Sequence, residues 1–123
     1  MEGTALILVA EDSPTVRKLV TLALKTQGFR VVQAQDGMDA LEKLARYEVD
    51  LIITDLNMPN MDGYSLIQAI RENEHLKDVP IIVLSSEAKE EDKQRAFALG
   101  ADSYLVKPFN ARRVQFEVAK FIN

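Results

Sequence analysis

Residues 50–59 have the sequence Asp50-Leu51-Ile52-Ile53-Thr54-Asp55-Leu56-Asn57-Met58-Pro59. A short apolar run rich in isoleucine leads to the carboxylate of Asp55, and a turn sequence follows it. A run that is apolar throughout is typical of a strand buried on both faces, as in the middle of a parallel sheet. We therefore predict a central strand over Asp50–Thr54, with Asp55 at its carboxyl end.

Three other apolar runs end in polar residues in the same way. They are residues 5–10, which lead to Glu11-Asp12, residues 81–84, which lead to Ser85-Ser86, and residues 103–106, which lead to Lys107-Pro108. Because the carboxyl ends of parallel strands emerge at one edge of a sheet, where such folds bind ligands, we expect these side chains to converge.

Segments with helical spacing of apolar residues lie between the runs, which predicts five βα units. Ser13-Pro14 predicts the start of the first helix and Gly28 its end, and a second strand is predicted over Phe29–Ala34. Asp36 predicts the cap of the second helix. Its buried stripe is predicted to be Met38, Leu41, Leu44 and Ala45.

The last two helices carry different patterns. The fourth, predicted over Glu87–Leu99, is nearly all polar and is expected to pack through a narrow stripe that includes Ala96 and Phe97. On the last helix, Phe116 lies opposite the stripe of Val114 and Val118, so we hypothesise that it contacts a partner.

The composition is that of one ordinary domain. The chain has 123 residues, 47% of them apolar and 28% charged, so a single domain over 1–123 is expected, with no membrane insertion. No basic amino-terminal region precedes the first apolar run, which favours the cytoplasm. The net charge is −4 without a dense basic cluster, so direct nucleic-acid binding is not expected.

The converging acids need a cation. Two carboxylates about 4 Å apart repel by roughly 4 kcal/mol at an effective dielectric constant near 20. Lys107 alone cannot balance Glu11, Asp12 and Asp55. A site rich in carboxylate oxygens is one that hard divalent ions such as Mg²⁺ choose, so the sequence predicts a magnesium site suited to handling phosphate.

From Leu6 to Ile122 the chain resembles the receiver domain of two-component response regulators, in particular the single-domain CheY-like kind. The resemblance implies an α/β fold of the flavodoxin-like doubly wound (βα)5 type, with a five-stranded parallel sheet in the order 2-1-3-4-5. The residues that carry it are Glu11-Asp12, Asp55, Met58-Pro59, Asp62-Gly63, Ser85, Gly100-Ala101, Tyr104 and Lys107-Pro108-Phe109.

The resemblance also implies a phosphoryl switch. Asp55 would accept a phosphoryl group from a histidine kinase, with Lys107 paired to a phosphoryl oxygen. Glu11, Asp12, Asp55 and the backbone carbonyl of Asn57 would hold Mg²⁺ or Mn²⁺. The chain would then be no enzyme in the usual sense, because it would catalyse only its own phosphotransfer and dephosphorylation.

Output would follow from Ser85 and Tyr104. The resemblance implies that Ser85 turns to the phosphoryl group and Tyr104 moves inward, which changes the surface of the fourth helix, fifth strand and fifth helix. A downstream target of two-component or chemotaxis-type signalling would bind there, and a phosphatase is a further expected partner. Asn57 and Glu87 occupy positions that tune the phosphoryl lifetime. We expect a monomer or a weak dimer.

Two positions depart from the commoner family pattern, and other functions remain open. Glu11 stands where aspartate is also common, and Ser85 where threonine is frequent. A flavodoxin-like electron carrier is the main alternative, although Glu11-Asp12 would repel a flavin phosphate. A dehalogenase-type phosphatase needs a second aspartate where this chain has Asn57, and a scaffold pseudo-receiver that is never phosphorylated is the third option. The Lys107-Pro108 bond is left open between cis and trans, with cis implied by the resemblance.

Overall fold

Five β-strands and five α-helices alternate along residues 4–122, the part of the chain that the computed structural model describes. The strands are β1 (Leu6–Ala10), β2 (Arg30–Ala34), β3 (Leu51–Asp55), β4 (Ile81–Ser85) and β5 (Ser103–Val106). The helices are α1 (Pro14–Thr26), α2 (Gly37–Leu44), α3 (Gly63–Glu72), α4 (Glu90–Leu99) and α5 (Ala111–Ala119). The predicted five βα units are confirmed.

The strands form one parallel sheet in the order β2-β1-β3-β4-β5. This order and the doubly wound α/β class are those that the resemblance implies. β3 is the central strand and is buried along its whole length. Its register pairs Asp55 with Leu84 of β4, and β1 pairs Ala10 with Thr54. The strand ends that carry the polar residues are therefore neighbours.

Alternate residues of the strands face two separate cores. One core packs α2, α3 and α4 against the face that carries Leu8, Ile52 and Val83. The other packs α1 and α5 against the face that carries Ile53 and Leu84. Burial of one such aliphatic side chain stabilises the fold by roughly 2 kcal/mol. Because both faces are covered, the polar groups at the strand ends rest on a rigid base.

The predicted helix signals at α1 and α2 are confirmed. The hydroxyl of Ser13 accepts a hydrogen bond from the amide of Val16, and Pro14 is the first helical residue. Gly28 follows the end of α1 with φ of 90°, a conformation that favours glycine. The carboxylate of Asp36 caps α2 through the amide of Asp39 at 2.8 Å.

The predicted stripe of α2 is partly wrong. The buried residues of α2 are Gly37, Ala40 and Leu44, whereas Met38 is 54% exposed. Gly37 lies so close to Met61 that a Cβ atom at position 37 would be 2.6 Å from the Met61 carbonyl oxygen. This backbone packing turns the face with the small residues inward, and a pattern weighted towards large apolar residues does not show it.

The fourth helix is shorter than predicted. It begins at Glu90, not Glu87, and the side chain of Lys89 before it makes no capping hydrogen bond. The amide of Glu87 donates to the hydroxyl of Ser85, two residues earlier, and its carbonyl accepts from the distant Tyr104, which keeps this residue out of the helix. Among the residues of α4 only Ala96 is buried, and Phe97 is 45% exposed, so its predicted place in the packed stripe is wrong.

Arg71, near the end of α3, binds the loop that follows α4 and the loop that precedes β4. Its guanidinium donates two hydrogen bonds to the carbonyl oxygen of Gly100, at 3.0 and 2.8 Å. It also donates to the carbonyl oxygens of Lys77 and Val79 and pairs with Asp102 at 3.0 Å. The carboxyl end of α4 is thereby attached to α3 and to the loop before β4.

Across the described residues, no helix combines the length and the apolar character that a membrane crossing requires.

Candidate functional site

Three acidic side chains meet at the carboxyl ends of β1 and β3. Glu11 and Asp12 directly follow β1, and Asp55 is the last residue of β3. Each contributes a carboxylate oxygen, and the three oxygens lie within 4.8 Å of one another. Glu11 and Asp55 are buried, whereas Asp12 is exposed. The cluster is therefore open to solvent on the side of Asp12.

Lys107 reaches the cluster from the end of β5. Its ammonium lies 3.0 Å from Asp55 Oδ2 and 3.1 Å from Glu11 Oε1. The bond from Lys107 to Pro108 is cis, as the resemblance implies, and the amide of Lys107 donates to the carbonyl oxygen of Ser85. Burial alone acts to lower the pKa of Lys107, but the pairing with Asp55 and Glu11 outweighs it and raises the pKa, so the ammonium stays charged.

Glu11 is the acid with the most perturbed environment. Its Oε2 accepts a hydrogen bond from the amide of Ser13 at 3.0 Å, while its buried Oε1 has no hydrogen-bond partner among the described residues, Lys107 being an ion-pair neighbour. Burial, together with the charge of Asp55, raises the pKa of Glu11 to about 7. An added cation would favour the ionised form of this carboxyl.

The backbone that follows β3 fixes the carboxylate of Asp55. Its Oδ1 accepts hydrogen bonds from the amide of Leu56 at 2.7 Å and, more weakly, from that of Asn57 at 3.4 Å. Its Oδ2 is paired with Lys107. The carboxylate is 4% exposed. Held on both oxygens, it cannot rotate freely, which is what a positioned acceptor group requires.

The charges and donor atoms of the cluster suit a hard divalent cation. Three carboxylates face one ammonium, so the ionised cluster carries an excess of negative charge in a partly buried place. Within residues 4–122, Glu11 Oε1 is buried and makes no hydrogen bond beyond its ion pair with Lys107, and all the acidic ligand atoms are oxygens. Mg²⁺ prefers oxygen ligands, uses one or two carboxylates and keeps several waters, which fits a cluster with one open side.

Ser85 and Tyr104 both bind Glu87, the second residue after the end of β4. Ser85 is fully buried, and its hydroxyl accepts a hydrogen bond from the amide of Glu87 at 3.0 Å. The Tyr104 hydroxyl donates to the carbonyl oxygen of Glu87 at 2.8 Å, and its ring lies 6.3 Å from that of Phe97. Partial burial raises the pKa of Tyr104. The two predicted switch residues are thus connected through Glu87.

Phe116 lies on α5 and does not belong to this cluster. It is 63% exposed, and the ammonium of Lys120 lies 5.1 Å from the centre of its ring. Its outward orientation agrees with the spacing argument. Its contact with a partner stays a prediction.

Several polar residues around the cluster were not assigned to it from the sequence. Arg17 of α1 donates to the carbonyl oxygen of Glu11 at 2.6 Å. Asn60 donates to Asp36, a residue predicted only as a helix cap. The one signal for Asn60 was its place in the turn sequence after Pro59, because asparagine tolerates the left-handed backbone conformation.

Comparisons with known proteins show the family of this chain. Residues 7–119 match the model of the response regulator receiver domain. Chemotaxis protein CheY-3 of Vibrio cholerae is 38% identical over 115 residues, which cover 93% of this chain and 88% of that protein. The structure of the chemotaxis response regulator CheY4 of Vibrio cholerae superposes with a TM-score of 0.92 at 36% identity, covering 97% of this chain and 99% of that one.

A second structural relative bears on the acidic cluster. The receiver domain of a sensor histidine kinase from Pseudomonas aeruginosa is 32% identical, with a TM-score of 0.87, and the match covers 95% of this chain and 96% of that domain. That structure has a magnesium ion coordinated in the active site cleft.

The chain belongs to the receiver-domain family of response regulators, with chemotaxis proteins of the CheY type among its relatives. It is accordingly a member of a signalling family and not of the flavodoxin electron carriers, which removes the main alternative. Its place is in two-component signalling.

Proposed function

We propose that Asp55 accepts a phosphoryl group from the phosphohistidine of a histidine kinase and that the chain passes this signal on by binding a target. The single observation that supports this most is the cluster of Glu11, Asp12 and Asp55 around the one ammonium of Lys107. We further propose that residues 1–123 form one receiver domain that works in the cytoplasm.

The transfer itself is a displacement at phosphorus. A carboxylate oxygen of Asp55 attacks the phosphorus atom, a P–O bond forms, and the P–N bond to the imidazole of the kinase breaks. The imidazole leaves with the electron pair and takes up a proton. The product is an acyl phosphate on Asp55. Lys107, already 3.0 Å from Asp55 Oδ2, would pair with a phosphoryl oxygen and offset its charge.

The acidic side chains would hold the metal that this transfer needs. Glu11, Asp12, Asp55 and the backbone carbonyl of Asn57 are the proposed ligands of Mg²⁺, with Mn²⁺ as a substitute. When bound, the ion neutralises charge that develops on the phosphoryl oxygens. Glu11 is longer than aspartate, and within residues 4–122 its buried Oε1 is held by the ion pair with Lys107 alone, which leaves it available to such an ion.

The switch is proposed to act through Ser85, Glu87 and Tyr104. If the hydroxyl of Ser85 turns to a phosphoryl oxygen, it no longer accepts from the amide of Glu87, and the peptide that also binds Tyr104 loses one of its two supports. A shift of population towards an arrangement with Tyr104 further inward would change the face of α4, β5 and α5. Phe116 is the proposed partner contact there. Asn57 and Glu87 are proposed to tune the hydrolysis of the acyl phosphate by orienting water.

A titration with beryllofluoride and Mg²⁺ tests the proposal. Beryllofluoride imitates a phosphoryl group on an aspartate, and amide NMR is the suitable readout because the chain has no Trp. We expect shifts at Asp55, Ser85 and Tyr104 in the wild type and none in Asp55→Asn, which keeps the size of the side chain.

An unchanged wild-type spectrum would refute phosphoacceptor function and favour the scaffold pseudo-receiver. Equal shifts in Asp55→Asn would show that beryllofluoride binds elsewhere, which would also refute the proposal.

A further inference from the structure

The loop between β3 and α3 is attached to the turn before α2 by a pair of side chains. Asn60 Nδ2 donates a hydrogen bond of 2.7 Å to Asp36 Oδ2. The other oxygen of the same carboxylate, Oδ1, accepts from the amide of Asp39 and caps α2. Asp36 is 5% exposed although it is charged. Capping a helix needs only one of its oxygens, so the second contact calls for its own explanation.

The backbone at Asn60 is strained. Asn60 has φ of 68°, the positive value that side chains other than glycine seldom adopt. The amide of Met61 donates to the carbonyl oxygen of Pro59 at 2.7 Å, which closes a three-residue γ-turn with Asn60 at its centre. The γ-turn with positive φ is rare and strained. Such conformations persist where the surroundings hold them, and they cluster at functional sites.

A second contact holds the same turn from the side of α2. The amide of Gly37 donates to the carbonyl oxygen of Met61 at 3.1 Å. A Cβ atom at position 37 would lie 2.7 Å from Met61 Cγ, so only glycine allows this approach. The central residue of the turn and the residue after it are therefore both attached to one short segment, Asp36-Gly37.

The attached loop is the one that positions the phosphoacceptor. Its first two amides, those of Leu56 and Asn57, are the donors to Asp55 Oδ1. Three residues separate Asn57 from Met61, so a displacement of the turn moves these amides. Asp36 and Asn60 also line a cleft together with Asp12, which places the pair beside the acidic cluster.

We propose that Asp36 and Asn60 are positioning residues of the metal site: their hydrogen bond holds the strained turn and thereby keeps the backbone of Leu56 and Asn57 in place for Asp55 and for the metal. This inference rests on the proposed function, since it concerns the same cation site. Neither residue is a ligand. Partners behind the ligands of metal sites commonly change affinity by 10- to 100-fold when they are removed.

Three variants distinguish the role of the Asp36–Asn60 hydrogen bond from the role of Asp36 as the cap of α2. Asn60→Gly keeps a backbone that accepts positive φ and removes the donor without a change of charge. Asn60→Asp keeps the size and sets a second carboxylate against Asp36. The exchange Asp36→Asn with Asn60→Asp restores a hydrogen bond in the reverse direction at the wild-type net charge, and an asparagine at position 36 still caps α2.

The test is the dissociation constant for Mg²⁺, measured by amide NMR titration of the wild type and these variants. We expect about tenfold weaker binding in Asn60→Gly and Asn60→Asp, and binding within about threefold of wild type in the exchange variant. The loss in Asn60→Asp is diagnostic, because an added carboxylate near Asp12 would by charge alone strengthen the binding of a cation.

A second readout needs no metal. In Mg²⁺-free Asn60→Gly, we expect faster hydrogen exchange at the amides of Leu56 and Asn57, with exchange at Asp39, the capped amide of α2, unchanged. A purely structural role as a cap predicts the reverse.

The outcomes are distinguishable. The positioning role is overturned if the wild type binds Mg²⁺ and both Asn60 variants bind it with the same affinity. It is also overturned if the exchange variant does not recover the affinity for Mg²⁺. In both cases the proposed function stands. If the wild type itself binds no Mg²⁺, the proposed function fails and this inference fails with it.

Discussion

The hydroxyl of Tyr104 and the carbonyl oxygen of Glu87 are joined by a hydrogen bond of 2.8 Å. The amide of the same residue donates to the hydroxyl of Ser85. Glu87 therefore accepts a hydrogen bond from Tyr104 through its carbonyl and donates one to the proposed phosphoryl sensor Ser85 through its amide. Asp55 pairs with Leu84 in the register of the sheet, and Ser85 is the next residue. The path from Asp55 to the face of α4, β5 and α5 is therefore short.

Tyr104→Phe should weaken the fold modestly. The substitution leaves the Glu87 carbonyl without its partner, and the loss of one hydrogen bond costs about 1 kcal/mol. Urea unfolding gives the free energy, and Tyr47→Phe is the matched control because the Tyr47 hydroxyl makes no hydrogen bond within residues 4–122. Equal stability of the two variants would contradict a supporting role for the Tyr104 hydroxyl.

Lys107→Met should make the protein depend more on Mg²⁺. Without the ammonium, Glu11 and Asp55 face each other unbalanced, and loss of a charged hydrogen bond costs about 1.5–3 kcal/mol. A divalent cation then replaces the missing charge. We expect a lower melting temperature without Mg²⁺ and a larger rise on adding it than in the wild type. A rise no larger than that of the wild type would argue against a metal among these acids.

Gly63→Ala should be severely destabilising and should disturb the Asp55 carboxylate. A Cβ atom at position 63 would press on the Asp55 carbonyl oxygen and lie 2.7 Å from Leu56 Cα, and both are backbone atoms that cannot turn aside. Strain of this kind costs about 3 kcal/mol or more. Gly28→Ala is the control. A Cβ atom at position 28 meets no atom of residues 4–122 within 4 Å, so the substitution should cost only about 1 kcal/mol for its φ of 90°. Similar losses of stability in Gly63→Ala and Gly28→Ala would show that the backbone after β3 shifts readily to make room for the added Cβ atom.

Glu117→Gln should remove a pH-dependent part of the stability. Glu117 is buried and accepts from the Ser103 hydroxyl at 2.6 Å and from Lys120 at 3.0 Å. Burial acts to raise its pKa, but these two partners outweigh it, so the pKa of Glu117 lies below its usual 4.5. The ionised form therefore stabilises the fold above pH 4.5, and this contribution disappears as the pH falls through the lowered pKa.

The comparison is between thermal unfolding of the wild type and of Glu117→Gln from pH 7 to pH 3. We expect the wild type to be more stable at pH 7 by about 1–2 kcal/mol and the difference to shrink below pH 4.5. A difference that is constant over this range would contradict the assignment.

Phe116→Ala should leave the fold intact and weaken target binding. The ring is 63% exposed, so its removal should change the free energy of unfolding by less than about 0.5 kcal/mol. Exposed aromatic residues that anchor an interface are worth about 1–2 kcal/mol or more, which corresponds to at least fivefold in affinity. Leu22→Ala on α1, 54% exposed, is the control. If Phe116→Ala binds every target with wild-type affinity, Phe116 is not a partner contact on the face of α4, β5 and α5.

The elements with strong local patterns were predictable. The apolar runs located all five strands to within one residue at each end, because β1, β3 and β4 are buried along their length. The acids at their ends could be grouped because parallel strands emerge at one edge. The order of the strands came from the resemblance, since local periodicity carries no information on which strands are neighbours.

The features that were missed depend on specific hydrogen bonds that form only in the folded chain. Arg71 binds carbonyl oxygens, which every residue has, so its partners have no sequence signature. Asp36 and Asn60 are 24 residues apart and meet only in the folded chain. The start of α4 was placed too early because its polar sequence suits a helix from Glu87 onward, whereas two hydrogen bonds hold that residue outside it.

The attachment of α4 at one end has a mechanical consequence. Two hydrogen bonds from Arg71 fix the carbonyl oxygen of Gly100, whereas Lys89 at the amino end provides no side-chain cap. A helix fixed at one terminus moves by tilting about that terminus, so its displacement grows along its length. If the switch releases Glu87 from Ser85, we expect α4 to tilt about Gly100. The largest displacement would then fall at the turn after Ser85, the end nearest the proposed phosphoryl sensor.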